Sequence, residues 1–274
     1  MTAADPRLTP SNGRSAHVSL RGRVQAERFT EGTPCRIAWP LADLCTTPAG
    51  PRTRQLLMGA AFTRLEARDG WAFGFAGRDG YVGWLCADAL EPWADPTHRV
   101  AVAATHLYPA ADLKARETAR LSLGALLTVT GRQCAFAQTD RGFVPACHLR
   151  ALDDAERDPV AVGERLIGSP YLWGGNSRDG IDCSGLVQIA LHACGRDCPG
   201  DSDLQARALG TALPEGASLR RGDLVFWPGH VGWMMDEARL LHANAHHMAV
   251  AVEPLAEAAA RIARESGAFT ARRL

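Results

Sequence analysis

Pro170-Tyr171-Leu172-Trp173-Gly174-Gly175, and after it Ile181-Asp182-Cys183-Ser184-Gly185-Leu186-Val187-Gln188-Ile189-Ala190-Leu191, is the stretch that decides how this chain is read. A loop of aromatics and glycines turns into an amphipathic apolar run, and the turn carries a cysteine. The run from Cys183 to about Ala193, with Gly195 beyond it, reads as a helix with a glycine stop. A thiol at the head of a helix lies at the positive end of the helix dipole, which favours the thiolate, the nucleophilic form of cysteine. Downstream, Gly229-His230-Val231-Gly232 and Leu241-His242-Ala243-Asn244 set two histidines among strand-like residues.

Taken singly, each of these residues reads as a buried core group. Their order and their flanks point elsewhere. A cysteine hydrolase needs a thiolate, a histidine to share its proton and a third group to orient that histidine. If the strands bearing His230 and His242 pack against the head of the Cys183 helix, all three converge. Cys183 is then the nucleophile and His230 the base, with the second ring nitrogen of His230 bonded to His242. The Cys183 backbone N–H, aided by the Tyr171 hydroxyl, would meet the oxyanion.

Outward from this centre, the chain after Leu152 reads as helices followed by strands. Asp158-Pro159 fits a helix N-cap and first turn, with Gly168 as the stop. Strand-like runs follow at 224–227, 231–235, 240–243 and 249–252, and a final helix spans about Pro254 to Ser266. This is an α+β plan. The preceding residues, from about 17 to 150, are instead rich in short β-type runs and turns. Asp69-Gly70 separates alternating apolar positions in 62–75, a hairpin signal, and Asp79-Gly80 introduces another alternating run. The segments at 80–90 and 142–149 look like one unit used twice. The expected organisation is an arm over 1–15, β domains over 16–93 and 94–152, and the α+β domain over 153–274. The stretch from Glu91 to Asp112 reads either as a linker or as part of the second β domain.

Composition narrows the function classes. The chain has 274 residues, with 30 basic side chains balanced by 30 acidic ones. No net field or charge run favours nucleic acid or an anionic membrane. No apolar segment follows the N-terminus and none is long enough to span a bilayer. With eight cysteines at irregular spacing, the expectation is a cytoplasmic chain with buried reduced thiols, Cys86 and Cys147 among them.

At these motifs the chain resembles the NlpC-type cysteine peptidases. The residues are Tyr-Leu-Trp-Gly-Gly, Asp-Cys-Ser-Gly-Leu-Val-Gln, Arg-Arg-Gly-Asp-Leu-Val-Phe-Trp (220–227), Gly-His-Val-Gly and Leu-His-Ala-Asn. The resemblance covers about 155–260 and implies a papain-like core that cleaves peptidoglycan stem peptides. The β segments before it resemble bacterial SH3-like barrels. The pair implies the subgroup that acts on free stem peptides with an unblocked L-Ala, cleaving after γ-D-Glu before diaminopimelate or lysine, in cell-wall recycling. By position, the resemblance implies catalytic roles for Cys183, His230 and His242. It implies a γ-D-Glu subsite lined by Tyr171, Asp182 and Ser184 and closed by Asp201 and Ser202. It also implies that Glu66 and Tyr81 meet the substrate's amino end, and that neither metal nor organic cofactor is required.

Other signals are weaker. Cys194 and Cys198 lack the second ligand pair of a zinc site and read as two thiols near a helix end. His242, His246 and His247 lack the helical spacing of a metal motif. Trp173 and Trp227 read as packing residues framing the cleft, and Glu164 and Arg165 as a solvated helix face. Two rival readings stay open: an acyltransferase or amidase using the same Cys-His-His set, and a silent module that only binds wall peptides.

Overall fold

A computed structural model of the chain describes residues 5–274. The chain divides into two compact units, one running to Val100 and resuming over Ala104–Arg150, the other formed by Ala101–Ala103 with Ala151–Leu274.

The first unit is built on strands. Seven antiparallel strands form one sheet in the order Arg52–Leu57, Leu41–Cys45, Val82–Cys86, Trp71–Ala76, Ala61–Arg68, Thr33–Ile37 and Leu90–Pro92. The Asp69-Gly70 turn joins two of them, with φ of 50° and 78°, the left-handed pair that a tight hairpin with right-handed strand twist needs. Apolar residues cover both faces. Ile37, Leu44, Phe62 and Leu85 pack on one cluster, and Leu65, Phe73 and Trp84 on another.

Residues 98–151 fold into three smaller sheets, so the Glu91–Asp112 stretch contributes strands His98–Val100 and Ala104–Leu107 rather than only a linker. The two segments that look alike in sequence also have like backbones. Each is a strand, a 3-10 turn and a short strand: Val82–Cys86, Ala87–Ala89, Leu90–Pro92, and then Gly142–Pro145, Ala146–His148, Leu149–Ala151. The residues after the two turns have φ/ψ of −108°/144° and −107°/149°. Inside this unit the smaller sheets are joined to the large one by the Arg36–Asp140 ion pair at 2.6 Å and by the Leu126 N–H donating to Met58 O. Gly59 lies at that seam, where a Cβ would sit 2.3 Å from Leu126 O.

The segment expected as an N-terminal arm over 1–15 lies partly outside the described residues. From Asp5 onward it is held: Pro6–Leu8 forms a 3-10 turn, and Asn12 and Arg14 bond to Glu66.

The second unit packs four helices with a six-stranded antiparallel sheet. The helices are α1 (Pro159–Glu164), α2 (Cys183–Ala193), α3 (Ser202–Ala208) and α4 (Leu255–Ser266). The sheet order is Thr211–Ala212, Thr270–Arg273, Leu224–Trp227, His230–Met234, Arg239–Asn244, Ala249–Pro254. Asp158 caps α1 by accepting from the N–H groups of Val160 and Ala161. Gly195 after α2 and Gly267 after α4 take positive φ, as the sequence suggests. Helix α1 ends four residues before Gly168, in a turn. The seven-residue α3 and the strands Thr211–Ala212 and Thr270–Arg273 carry no readable period in the sequence, being too short to show one. Helix α2 is buried along almost its whole length because it lies against α1 and the sheet.

Two expectations need correcting. Glu164 and Arg165 are not a solvated face: Glu164 pairs with Arg221 at 3.0 Å, and Arg165 pairs with Glu156 at 2.8 Å and donates to Ala101 O. Nor are Cys86 and Cys147 buried. Cys86 is half-buried and Cys147 exposed, because each flanks a surface 3-10 turn that a local reading of apolar neighbours does not locate.

Trp233 is fully buried under α1, so Trp233→Ala is expected to lower the unfolding free energy by about 3–5 kcal/mol in urea titration. Asp223 supplies a pH test. Its buried carboxylate accepts from Arg220 N and from Arg273 Nε and Nη2. Burial opposes the charge, but Arg273 and the Arg220 N–H outweigh it and hold the carboxyl below its ordinary value. A lowered folded pKa gives stability that is present above the unfolded value of about 3.9 and lost as pH falls through the folded one. Asp223→Asn is expected to be less stable at pH 7 and to lose less stability on acidification below about pH 4.

Candidate active site

One carboxylate organises the head of α2. Asp182 Oδ1 accepts from the Gly185 N–H at 2.7 Å and the Ser184 hydroxyl at 2.9 Å, and Oδ2 accepts from the Gly174 N–H at 2.9 Å. The same side chain therefore caps the helix and clamps the glycine-rich loop to it. Gly174 takes a φ of 68°, and a Cβ on Gly175 would sit 2.5 Å from Gly180 O.

Cys183 follows directly and is 7 % exposed. Burial, and then the Asp182 charge, push its thiol up to about 12, although the N–H groups of Val231, Ser184 and Cys183 itself favour the thiolate. The helix-head position alone thus does not ionise this cysteine. A thiolate here needs a positive partner beside it. Tyr171 is pushed up to about 12 by burial, with the neighbouring Cys183 and Asp182 adding to the shift, so its hydroxyl keeps its proton and can donate.

The sheet packed on this helix carries two histidines. His230 opens its strand, with the Trp227 ring 5.7 Å away, centroid to centroid. His230 Nε2 lies 2.7 Å from His242 Nδ1. His242 is fully buried on the next strand, where Gly232 leaves the space it needs; a Cβ there would lie 3.0 Å from the His242 Cβ. His242 Nε2 in turn lies 2.7 Å from Glu253 Oε1. Glu253 sits diagonally across the strand pair, since His242 faces Ala251. From α4, Arg261 grips Glu253 with two bonds of 2.5 and 2.8 Å. Burial and then His242 lower His230 to about 3; burial lowers His242 to about 4, partly countered by Glu253. At Glu253 burial works against the charge, but Arg261 and His242 outweigh it and hold the carboxyl at about 2.

Of the residues singled out in sequence, Cys183, Tyr171, Asp182 and Ser184 meet at the head of α2, and His230 and His242 bond to one another. Asp201, at a φ of 41°, and the buried Ser202 begin α3, which Gln205 ties to α2 through the Ser184 carbonyl at 2.9 Å. Trp227 is buried against His230, whereas Trp173 is 69 % exposed. Glu66 and Tyr81 belong to the first unit. Glu66 accepts from Arg14 at 2.8 Å and Asn12 at 2.6 Å, and Tyr81 is 3 % exposed beneath the Arg54 guanidinium. Cys198 is buried with its sulfur on Pro199 O, and Cys194 is half-buried; neither is in a disulfide. Glu253 and Arg261 were not singled out. Nothing local marks them, because a diagonal cross-strand pair and a helix residue eight positions on meet only through tertiary structure.

His242, His247 and Glu253 place potential metal-ligand atoms within 4.8 Å of one another. Those on His242 and Glu253 are already bonded, and the Arg261 guanidinium supplies the positive charge that a cation would bring.

Asp182→Asn keeps an acceptor for the helix cap and removes the charge that opposes the Cys183 thiolate. Iodoacetamide labelling of Cys183 is expected to show a lower pH midpoint than wild type, with part of the clamp's stability lost because the amide nitrogen cannot accept from the Gly174 N–H. Asp182→Ala is expected to lose about 0.5–2 kcal/mol with the cap.

Residues 168–262 match the NlpC/P60 family, and residues 44–90 match the bacterial dipeptidyl-peptidase SH3 domain. A gamma-D-glutamyl-L-lysine dipeptidyl-peptidase of Bacillus cereus is 25% identical over 245 residues, 77% of this chain and 73% of that protein. A protein of the same description from Bacillus subtilis is 35% identical over 94 residues, 31% of each chain. The crystal structure of an NlpC/P60 family protein from Bacillus cereus superposes with a TM-score of 0.75 at 20% identity, covering 88% of this chain and 99% of that one, which shows a shared fold. This chain therefore joins an NlpC/P60 family domain to a bacterial dipeptidyl-peptidase SH3 domain.

Proposed function

We propose that the protein is a cysteine peptidase that hydrolyses the γ-D-Glu–diamino acid bond of free peptidoglycan stem peptides, as a step in cell-wall peptide recycling. The observation that carries this reading is the 2.7 Å bond from His230 Nε2 to His242 Nδ1 on strands packed against the helix headed by Cys183. The two Bacillus relatives, described as gamma-D-glutamyl-L-lysine dipeptidyl-peptidases, support the bond and the substrate class.

In this reading the Cys183 thiol gives its proton to His230 as its sulfur attacks the γ-carbonyl. Creating both charges together, side by side, offsets the burial that penalises each alone. The oxyanion is met by the Cys183 N–H and the protonated Tyr171 hydroxyl. His230 then gives the proton to the departing amine as the C–N bond breaks. Water, deprotonated by His230, attacks the thioester and releases the γ-D-Glu carboxylate, and the proton returns to sulfur. Asp182 holds the Ser184 hydroxyl and the Gly174 loop in place at the γ-D-Glu subsite, which Asp201 and Ser202 close. Residues 94–152 form a second SH3-like domain in this reading, supported by the repeated strand, 3-10 turn and strand. For Glu66 to meet the substrate's free amine, the ammonium must replace the Arg14 guanidinium, one cation for another.

The test is mass spectrometry of L-Ala-γ-D-Glu-diaminopimelate, its lysine counterpart and an N-acetylated copy, each with wild type and Cys183→Ala. Release of L-Ala-γ-D-Glu by wild type alone, with the acetylated peptide spared, is expected. Cleavage of the acetylated peptide at an equal rate would remove amine recognition from the reading. No cleavage at all, or acyl transfer to an added amine in its place, would overturn the peptidase assignment.

A further inference from the structure

The chain of bonds from Arg261 to His230 contains one group that cannot donate. An ionised carboxylate only accepts hydrogen bonds, and the two Arg261 contacts hold Glu253 in that state. The 2.7 Å bond to His242 therefore requires the proton on His242 Nε2. Neutral His242 then has a bare Nδ1, which can only accept. The next 2.7 Å bond accordingly requires the proton on His230 Nε2, and neutral His230 is left with its lone pair on Nδ1. A base must have an open lone pair on the nitrogen that its hydrogen-bond partner does not occupy, and the Arg261–Glu253 pair sets that condition two residues away.

We propose that Glu253 is a positioning residue for the reaction of Cys183, with Arg261 as its counterweight: the Glu253 carboxylate dictates the tautomer of both histidines and stabilises the His230 imidazolium, and Arg261 limits that stabilisation. The proposal rests on the reading of Cys183 and His230 as nucleophile and base. The charges of the pair act in opposite senses on both rings, Glu253 favouring the imidazolium and Arg261 disfavouring it. The other titratable groups facing this pair are His247, whose Nδ1 is 3.9 Å from Glu253 Oε1, and Glu257, which faces Arg261. His247 is exposed and bonded to Asn244, and it is unchanged in the test.

The experiment is pulsed iodoacetamide labelling of the full chain across pH, read at each cysteine by peptide mapping. It needs no substrate. Exposed Cys134 serves as the internal reference, and protection of buried Cys198 reports that the second unit is folded. Glu253→Gln removes the negative charge, weakens the imidazolium beside the thiolate and raises the midpoint for Cys183. A rise of about one pH unit slows labelling below the midpoint about tenfold. Arg261→Gln removes the positive charge and moves the midpoint the other way, while Arg261→Lys restores it toward wild type. A purely structural role would not give opposite shifts at Cys183 with Cys134 unchanged.

Midpoints that coincide with wild type in both variants, or that move in one direction, would overturn the proposal, provided His230→Ala shifts Cys183. A His230→Ala protein with an unaltered Cys183 profile would overturn the active-site reading and this inference with it. Opposite shifts in a protein that cleaves no stem peptide would uphold the relay and remove only the substrate assignment.

Discussion

A thiol in a nearly dry pocket, beside the carboxylate that caps its own helix, will not ionise alone. Burial pushes Cys183 up to about 12, and burial of the imidazoles pushes His230 down to about 3 and His242 to about 4. Each charge is penalised singly, so the proposed chemistry depends on making the two together. That constraint accounts for features that otherwise look unrelated: the helix head against the strand start at His230, the missing side chain at Gly232, and the run of bonds through His242 and Glu253 to Arg261. In the proposed mechanism the buried relay shares out the positive charge that the thiolate requires.

The architecture around the site keeps these groups in place by several independent means. Asp182 clamps loop and helix with three bonds from one side chain. Gln205 ties α3 to the same helix head. The strands bearing His242 and Glu253 share a register that puts the two side chains on one face of the sheet, and α4 delivers Arg261 to that face. A site built on helix heads and paired strands holds its geometry better than one built on loops.

Much of this was legible in the sequence, for reasons that are local. The Cys183 helix, its glycine stop, the two histidine strands and the Asp69-Gly70 hairpin all announce themselves through short-range patterns, and the His230–His242 bond follows from reading the histidines as neighbours. The protonation state of Cys183 was not legible. The helix dipole argues for the thiolate, whereas burial and Asp182 argue against it, and burial is a tertiary quantity. Glu253 and Arg261 were invisible for the same reason, as was the Arg14–Glu66 pair, which commits the acidic group expected to meet a substrate amine. Cys147 and Arg165 show the converse error, since apolar or charged neighbours in sequence do not tell which side of a turn faces water.

The most direct measurement is nitrogen NMR of histidine-labelled Cys183→Ala protein at neutral pH, which keeps His230 from forming an ion pair. Both His230 and His242 are expected as the neutral tautomer with the proton on Nε2. A proton on Nδ1 of either ring would contradict that assignment.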